Sequence, residues 1–103
     1  MYIVEMRFKL KPDVEIADLL SLFNEEFRKH PSCISANIIE YKTYDGSKPE
    51  WDYAYVGVWE SEEADIAAHD SDWGRNNSQV NEKFQAMTAE MSVAFATVIA
   101  SGK

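Results

Sequence analysis

The sequence predicts an α+β domain in which two helical segments cover one face of a four-stranded antiparallel sheet. Apolar and polar residues alternate over residues 2–10, which is the period-two pattern of a half-buried strand. Residues 16–27 and 80–87 instead carry apolar side chains at helical spacing. Stretches rich in β-branched and aromatic residues lie between and after them, and the predicted order is β-α-β-β-α-β.

The first helix is predicted between Asp13 and Pro31. Asp13 is a favourable N-cap residue, and Pro31 cannot continue a helix. The apolar positions between them are Ile16, Leu19, Leu20, Phe23 and Phe27. A second strand is expected over residues 34–44 and a third over residues 51–60, because the turn-forming segment 45–49 separates two β-rich stretches.

The second half of the chain begins with a helix capped by Ser61, whose first turn holds two glutamates. Residues 70–74 interrupt this helix, and Val80, Phe84 and Met87 continue the helical pattern beyond the interruption. A last strand is predicted over residues 91–100. The order is that of the ferredoxin-like split β-α-β fold, with residues 1–100 as one domain and residues 101–103 as a flexible tail.

The net charge and the cysteine count restrict which partners and which binding sites can be expected. The net charge of −8 disfavours nucleic acid and anionic membrane surfaces as partners. Cys33 is the only cysteine, so an internal disulfide and a cysteine-based zinc site are excluded, and a reducing, cytoplasmic location is expected. Two histidines far apart in sequence give no metal-ligand spacing, and no apolar run reaches membrane-spanning length. Neither a metal nor a membrane is expected.

The third strand suggests how the sheet is used. If Ala54, Val56 and Val58 face the helices, the outer face of this strand carries four large aromatic residues. These are Trp51, Tyr53, Tyr55 and Trp59. A soluble monomer seldom exposes such a patch, so a homodimer that packs sheet against sheet is expected. The alternative is an aromatic strand shielded by the chain's own loops.

Two short segments carry a resemblance to a known family. Residues 30–35 read His-Pro-Ser-Cys-Ile-Ser, and residues 58–64 read Val-Trp-Glu-Ser-Glu-Glu-Ala, with His69 late in the helix that follows. In this order they resemble the dimeric α+β barrel superfamily, and within it the antibiotic biosynthesis monooxygenase group, with Ser32 in place of a common glycine. The resemblance implies a homodimer whose two subunits form a dimeric α/β barrel. It also implies a pocket between the sheet and the helices of each subunit.

The superfamily includes cofactor-free monooxygenases of polyphenolic intermediates, haem-degrading enzymes, isomerases and cyclases. Met6, Ala68 and Ser78 stand where haem-degrading members have Asn, Trp and the iron-ligating His. The run His69-Asp70-Ser71-Asp72 lacks the second histidine of the small cyclases. The resemblance therefore implies no cofactor, and it leaves monooxygenase-like or isomerase-like chemistry on an aromatic or polyketide-like substrate.

His69 is the candidate catalytic residue, because an imidazole suits a general base near neutral pH. Its alternative role is a helix C-cap that binds carbonyls or a neighbouring aspartate. Trp73 is a candidate pocket wall or lid, or else a plug between two helical segments. Met6, Phe8 and Val56 are the other expected ligand-binding walls.

Three functions remain open at this point: an enzyme of the kind described, a non-catalytic module for a small apolar ligand, and a purely structural dimer. In the structural case no cavity would exist. The helix–sheet space would then be filled by the side chains Phe23, Phe27, Phe84 and Met87.

Overall fold

Seven elements form the computed structural model, which describes residues 1–102. The strands are β1 (Tyr2–Leu10), β2 (Cys33–Glu40), β3 (Tyr53–Trp59) and β4 (Thr88–Thr97), and the helices are α1 (Ile16–Glu26), α2 (Glu62–His69) and α3 (Asp72–Met87). The order is β-α-β-β-α-α-β, in which α2 and α3 together occupy the place of the second predicted helix. Lys103, in the predicted tail, lies outside the described residues.

The four strands form one antiparallel sheet in the order β2-β3-β1-β4. The first and last strands of the chain, β1 and β4, are therefore neighbours. Strands β3 and β1 are central, and β2 and β4 form the two edges. This arrangement confirms the predicted ferredoxin-like α+β fold.

Several helix ends differ from the prediction. Glu15, and not Asp13, is the N-cap of α1, where Glu15 and Asp18 form a reciprocal capping box. The predicted Ser61 cap of α2 is confirmed, because its hydroxyl accepts a hydrogen bond from the Ala64 amide at 3.1 Å. Gly74, expected in an irregular interruption, lies inside α3 and is buried. The break between the helices is confined to Asp70 and Ser71.

The predicted orientation of β3 is wrong. Residues opposite each other in an antiparallel pair share a face, and Met6 lies opposite Tyr55 while Glu5 lies opposite Val56. Tyr55 packs on Phe23 and Phe27 of the α1 region, with ring centroids 6.5 and 5.7 Å apart. Tyr53, Tyr55 and Trp59 therefore face the helices, and Ala54, Val56 and Val58 lie on the outer face.

The four aromatic residues predicted to form a dimer interface therefore do not lie together on the outer face of the sheet. Tyr53 packs on Phe8, at a ring distance of 5.9 Å, on the helix side of the sheet. Trp51 precedes β3, where the Lys9 ammonium lies 5.7 Å from its ring. Trp51 alone remains beside the outer face. The sequence pattern could not separate the two faces, because both faces of β3 are apolar.

The core is concentrated at the end of the sheet where α2 begins. Cys33, Trp59 and Ala68 are almost fully buried there, and Tyr2, Val4, Ala36 and Trp73 pack around them. Leu19 and Leu22 bury the inner side of α1. The core is thus small and placed to one side, and the helix–sheet space beside it is not filled.

Candidate functional site

A cavity of about 540 Å³ lies between the sheet and the helices, within the range of about 300–1,000 Å³ typical of ligand pockets. Its sheet wall is apolar. The side chains of this wall include Val4, Met6, Phe8, Met91, Val93 and Phe95. The helical wall is mixed, with His69, Trp73, Asn77, Asn81 and Gln85 among its residues. The cavity therefore offers one apolar face and one hydrogen-bonding face.

The structure brings four of the predicted site residues to this cavity. Met6, Phe8, His69 and Trp73 all line it. Val56 does not, because it lies opposite Glu5 and Asn37 on the outer face of the sheet. The expectation that Val56 is a cavity wall is therefore wrong, for the same reason as the orientation of β3.

His69 forms a close pair with Asp65, one helical turn earlier. The Nδ1 atom of His69 lies 2.9 Å from the backbone carbonyl oxygen of Asp65 and 2.9 Å from its carboxylate Oδ1. Both neighbours are acceptors, so the ring proton is held on Nδ1 and the lone pair is left on Nε2. The side chain of His69 is 49% exposed, so the ring remains open to solvent and cavity.

Asp65 is the buried member of this pair, with 8% of its surface exposed. A single Nδ1 proton cannot serve two acceptors. The hydrogen bond of Nδ1 goes to the carbonyl oxygen, and Oδ1, although 2.9 Å from Nδ1, has no hydrogen-bond partner among the described residues. Burial raises the pKa of the Asp65 carboxyl, and His69 opposes that rise. The hydrogen bond that orients the His69 ring is therefore the carbonyl contact of the capping role, and the Asp65 carboxylate lies at ion-pair distance from the same nitrogen.

The ring of His69 belongs to a cluster of four aromatic rings, with those of Trp59, Trp73 and His30. Trp73 lies edge-on to Trp59, His69 and His30, with ring centroids 5.7, 5.2 and 5.4 Å apart. Its indole Nε1 donates a hydrogen bond to the carbonyl oxygen of Arg28 at 2.6 Å. Trp73 therefore lines the cavity and also joins the start of α3 to the segment after α1.

Tyr55 closes the floor of the cavity. Its ring lies along the strand above Gly57, where a Cβ atom would come within 2.9 Å of the Tyr55 hydroxyl. Burial raises the pKa of this phenol well above its ordinary value, and Cys33 and Asp65 add to the rise. Tyr55 is therefore a neutral hydroxyl beside the cavity and can donate or accept a hydrogen bond.

Sequence reasoning missed Asp65, Tyr55 and the amide side chains of α3. A signal was present in α3, where Trp73, Asn77, Asn81 and Gln85 recur every four residues. That spacing places them on one helical face, and amides on a face that packs toward a sheet indicate a ligand-facing wall rather than a core.

Known structures share this architecture over almost the full chain. A crystal structure of an antibiotic biosynthesis monooxygenase superposes with a TM-score of 0.69 at 15% identity, covering 97% of this chain and 100% of the other. The chain shares the fold of that protein. A Mycobacterium tuberculosis protein, Rv0793, gives a TM-score of 0.62 at 20% identity and covers 99% and 98%. An Arabidopsis thaliana protein gives 0.74 at 9% identity, with both chains fully covered.

This likeness is one of fold. No family model matches the sequence, and no curated protein matches it. Within residues 1–102, no group of three or more His, Cys, Asp or Glu side chains is placed to hold a metal ion. The described helices include none long and apolar enough to cross a membrane.

Proposed function

We propose that the protein is a small-molecule enzyme of the cofactor-independent monooxygenase or isomerase type, acting on an aromatic or polyketide-like substrate. The observation that carries the proposal is the Asp65–His69 pair at the wall of a largely apolar cavity. A histidine whose Nδ1 is bound by a carbonyl oxygen, with a carboxylate 2.9 Å from the same nitrogen, presents Nε2 as a general base. The apolar sheet wall supplies a surface on which a flat ring system can bind.

The first chemical step would be a proton transfer. Nε2 of His69 takes a proton from an acidic C–H or O–H bond of the substrate, and the bonding electron pair stays on the substrate as an enolate or phenolate. His69 becomes an imidazolium, which the Asp65 carboxylate stabilises at 2.9 Å. Returning the proton to another carbon would give isomerisation. Alternatively, the anionic carbon would form a C–O bond to dioxygen, the resulting peroxide would take up the proton, and loss of water would leave a carbonyl, so that one oxygen atom is incorporated and the other leaves as water.

Proton abstraction can be tested without knowledge of the natural substrate. We expect the protein to accelerate deuterium exchange at the acidic C–H of 2-tetralone, a neutral aromatic ketone, followed by NMR in D₂O. Removing the base in His69→Gln is expected to lower the catalysed rate by about 10²-fold or more.

His30→Gln is the matched control. His30 belongs to the same ring cluster, but it does not line the cavity, and its Nδ1 accepts the Ser32 amide hydrogen at 3.0 Å. This variant should keep the wild-type rate. Unchanged exchange in His69→Gln would remove His69 from catalysis.

The second candidate is a binding module that holds a small apolar ligand without reacting with it. The apolar residues of the sheet wall favour this alternative, because they supply apolar surface for binding and no catalytic group. Binding of 2-tetralone without any catalysed exchange would select it over the enzyme.

We further propose that the protein is a homodimer joined through the outer face of the sheet. This face carries half-buried Ile3, Ile39, Val56 and Val58, and the helices pack on the other side. Arg7 Nε lies 3.5 Å from the Glu5 carboxylate, yet neither this buried nitrogen nor the buried Tyr41 hydroxyl has a hydrogen-bond partner within residues 1–102. A second copy could supply those partners, since buried polar groups are normally paired.

Sedimentation equilibrium would test the dimer. We expect the wild type to have the mass of two chains and Val56→Glu to have the mass of one, because a charge buried between two apolar sheet faces is costly. Tyr44→Glu, at a fully exposed site between β2 and β3, should stay dimeric. A monomeric wild type at micromolar concentration would contradict the proposal.

A further inference from the structure

The helical wall of the cavity has an unusual composition for a helix that faces a sheet. Asn77 and Asn81 are half-buried and line the cavity one helical turn apart, between Trp73 and Phe84. An amphipathic helix normally places apolar residues at such positions. Neither amide group hydrogen-bonds to another of residues 1–102. Two carboxamides therefore face the cavity with their donors and acceptors free.

We propose that Asn77 and Asn81 form a hydrogen-bonding rail that selects uncharged ligands carrying two hydroxyl or carbonyl groups on a flat apolar frame. Residues four apart on a helix have Cβ atoms about 5–6 Å apart, which suits two oxygen atoms on one ring system. Each carboxamide can donate to a carbonyl or accept from a hydroxyl. This inference rests on the proposed small-molecule function and specifies its substrate class.

The opposite wall determines how such a ligand lies. Met6, Phe8, Val93 and Phe95 on the sheet can cover the apolar face of the ring system, and the rail contacts its polar groups. The bound molecule would then be oriented by hydrogen bonds at its polar groups rather than by shape alone. The apolar surface supplies most of the affinity, and the rail supplies the discrimination.

The negative charge of the cavity wall adds a second basis for selecting ligands. Asp65 and Asp70 both line the cavity, and the whole chain carries a net charge of −8. A ligand carboxylate or phosphate bound there would lie close to these carboxylates and be repelled by them. The cavity should therefore discriminate against anionic analogues of a ligand whose neutral form binds well.

Calorimetric titration with three naphthalenes would test the rail. We expect the wild type to bind 2,6-dihydroxynaphthalene about 10-fold or more tightly than naphthalene, from two hydrogen bonds of ordinary net strength. It should bind naphthalene-2,6-dicarboxylate more weakly than either. In Asn77→Leu/Asn81→Leu the preference for the dihydroxy compound over naphthalene should disappear, while naphthalene binds as tightly or more tightly.

The double variant should also unfold at a higher temperature than the wild type, because leucine suits both the helix and the apolar wall. Asn76→Leu, on the exposed side of α3, is the matched control and should keep the wild-type preference. Equal binding of naphthalene and its dihydroxy derivative by the wild type would overturn the rail and leave the proposed function standing. Failure of all three to bind would overturn both.

Discussion

Trp59→Ala is expected to lower the free energy of unfolding by about 3–5 kcal/mol, the cost typical of removing a buried tryptophan. Trp59 is 2% exposed and forms the core cluster with Cys33 and Ala68. It also contacts the rings of Trp73 and His69, with centroids 5.7 and 6.0 Å away. Its removal would therefore leave a cavity in the core and loosen one side of the site.

Equilibrium unfolding in urea would measure this effect. Tyr44→Ala is the matched control, because Tyr44 is a fully exposed aromatic residue between β2 and β3, so its loss should cost clearly less. The same experiment distinguishes a core role from an interface role. If Trp59 lay between two subunits, the variant would shift the monomer–dimer equilibrium, and stability would depend on protein concentration.

Gly74→Ala is expected to destabilise the protein, although alanine is the better helix former by about 1 kcal/mol. A Cβ atom on Gly74 would overlap the carbonyl group and Cα of His69, where α2 ends against the first turn of α3. Backbone atoms cannot rotate away, so the two helices must separate. Overpacking of this kind costs about 1–3 kcal/mol or more, which exceeds the gain in helix propensity.

The sign of the change makes this test decisive. Thermal unfolding of Gly74→Ala should show a lower midpoint, whereas Asn76→Ala, on the exposed side of the same helix, should show an equal or slightly higher one. A stabilised Gly74→Ala would mean that α2 and α3 do not approach as described. Because His69 lies at the contact, the variant should also lose the deuterium exchange expected of the wild type.

Local sequence patterns were sufficient to predict which segments are helices and which are strands. The alternation in residues 2–10, the Ser61 cap and the helical spacing in both halves each depend on neighbours in sequence, and each corresponds to an observed element. The strand ends were less accurate. The second strand was predicted to reach residue 44 but ends at Glu40, because the β-rich stretch continues into the link before β3.

The orientation of β3 could not be obtained in the same way. Tyr53, Tyr55 and Trp59 on one side and Ala54, Val56 and Val58 on the other are both plausible core faces. The choice depends on which residues of β1 lie opposite them, and Met6 opposite Tyr55 fixes it. The large aromatic residues pack beneath the helices, while the small and β-branched ones form the flatter outer face.

Sequence by itself determined the element order, the fold class, and the candidates His69, Trp73, Met6 and Phe8, because these follow from spacing and residue type. Tertiary structure alone decided that Val56 lies outside the cavity and that His69, Asn77 and Asn81 line it. The physical reason is that periodicity records which residues share a face. Only strand register and helix packing bring two particular faces together.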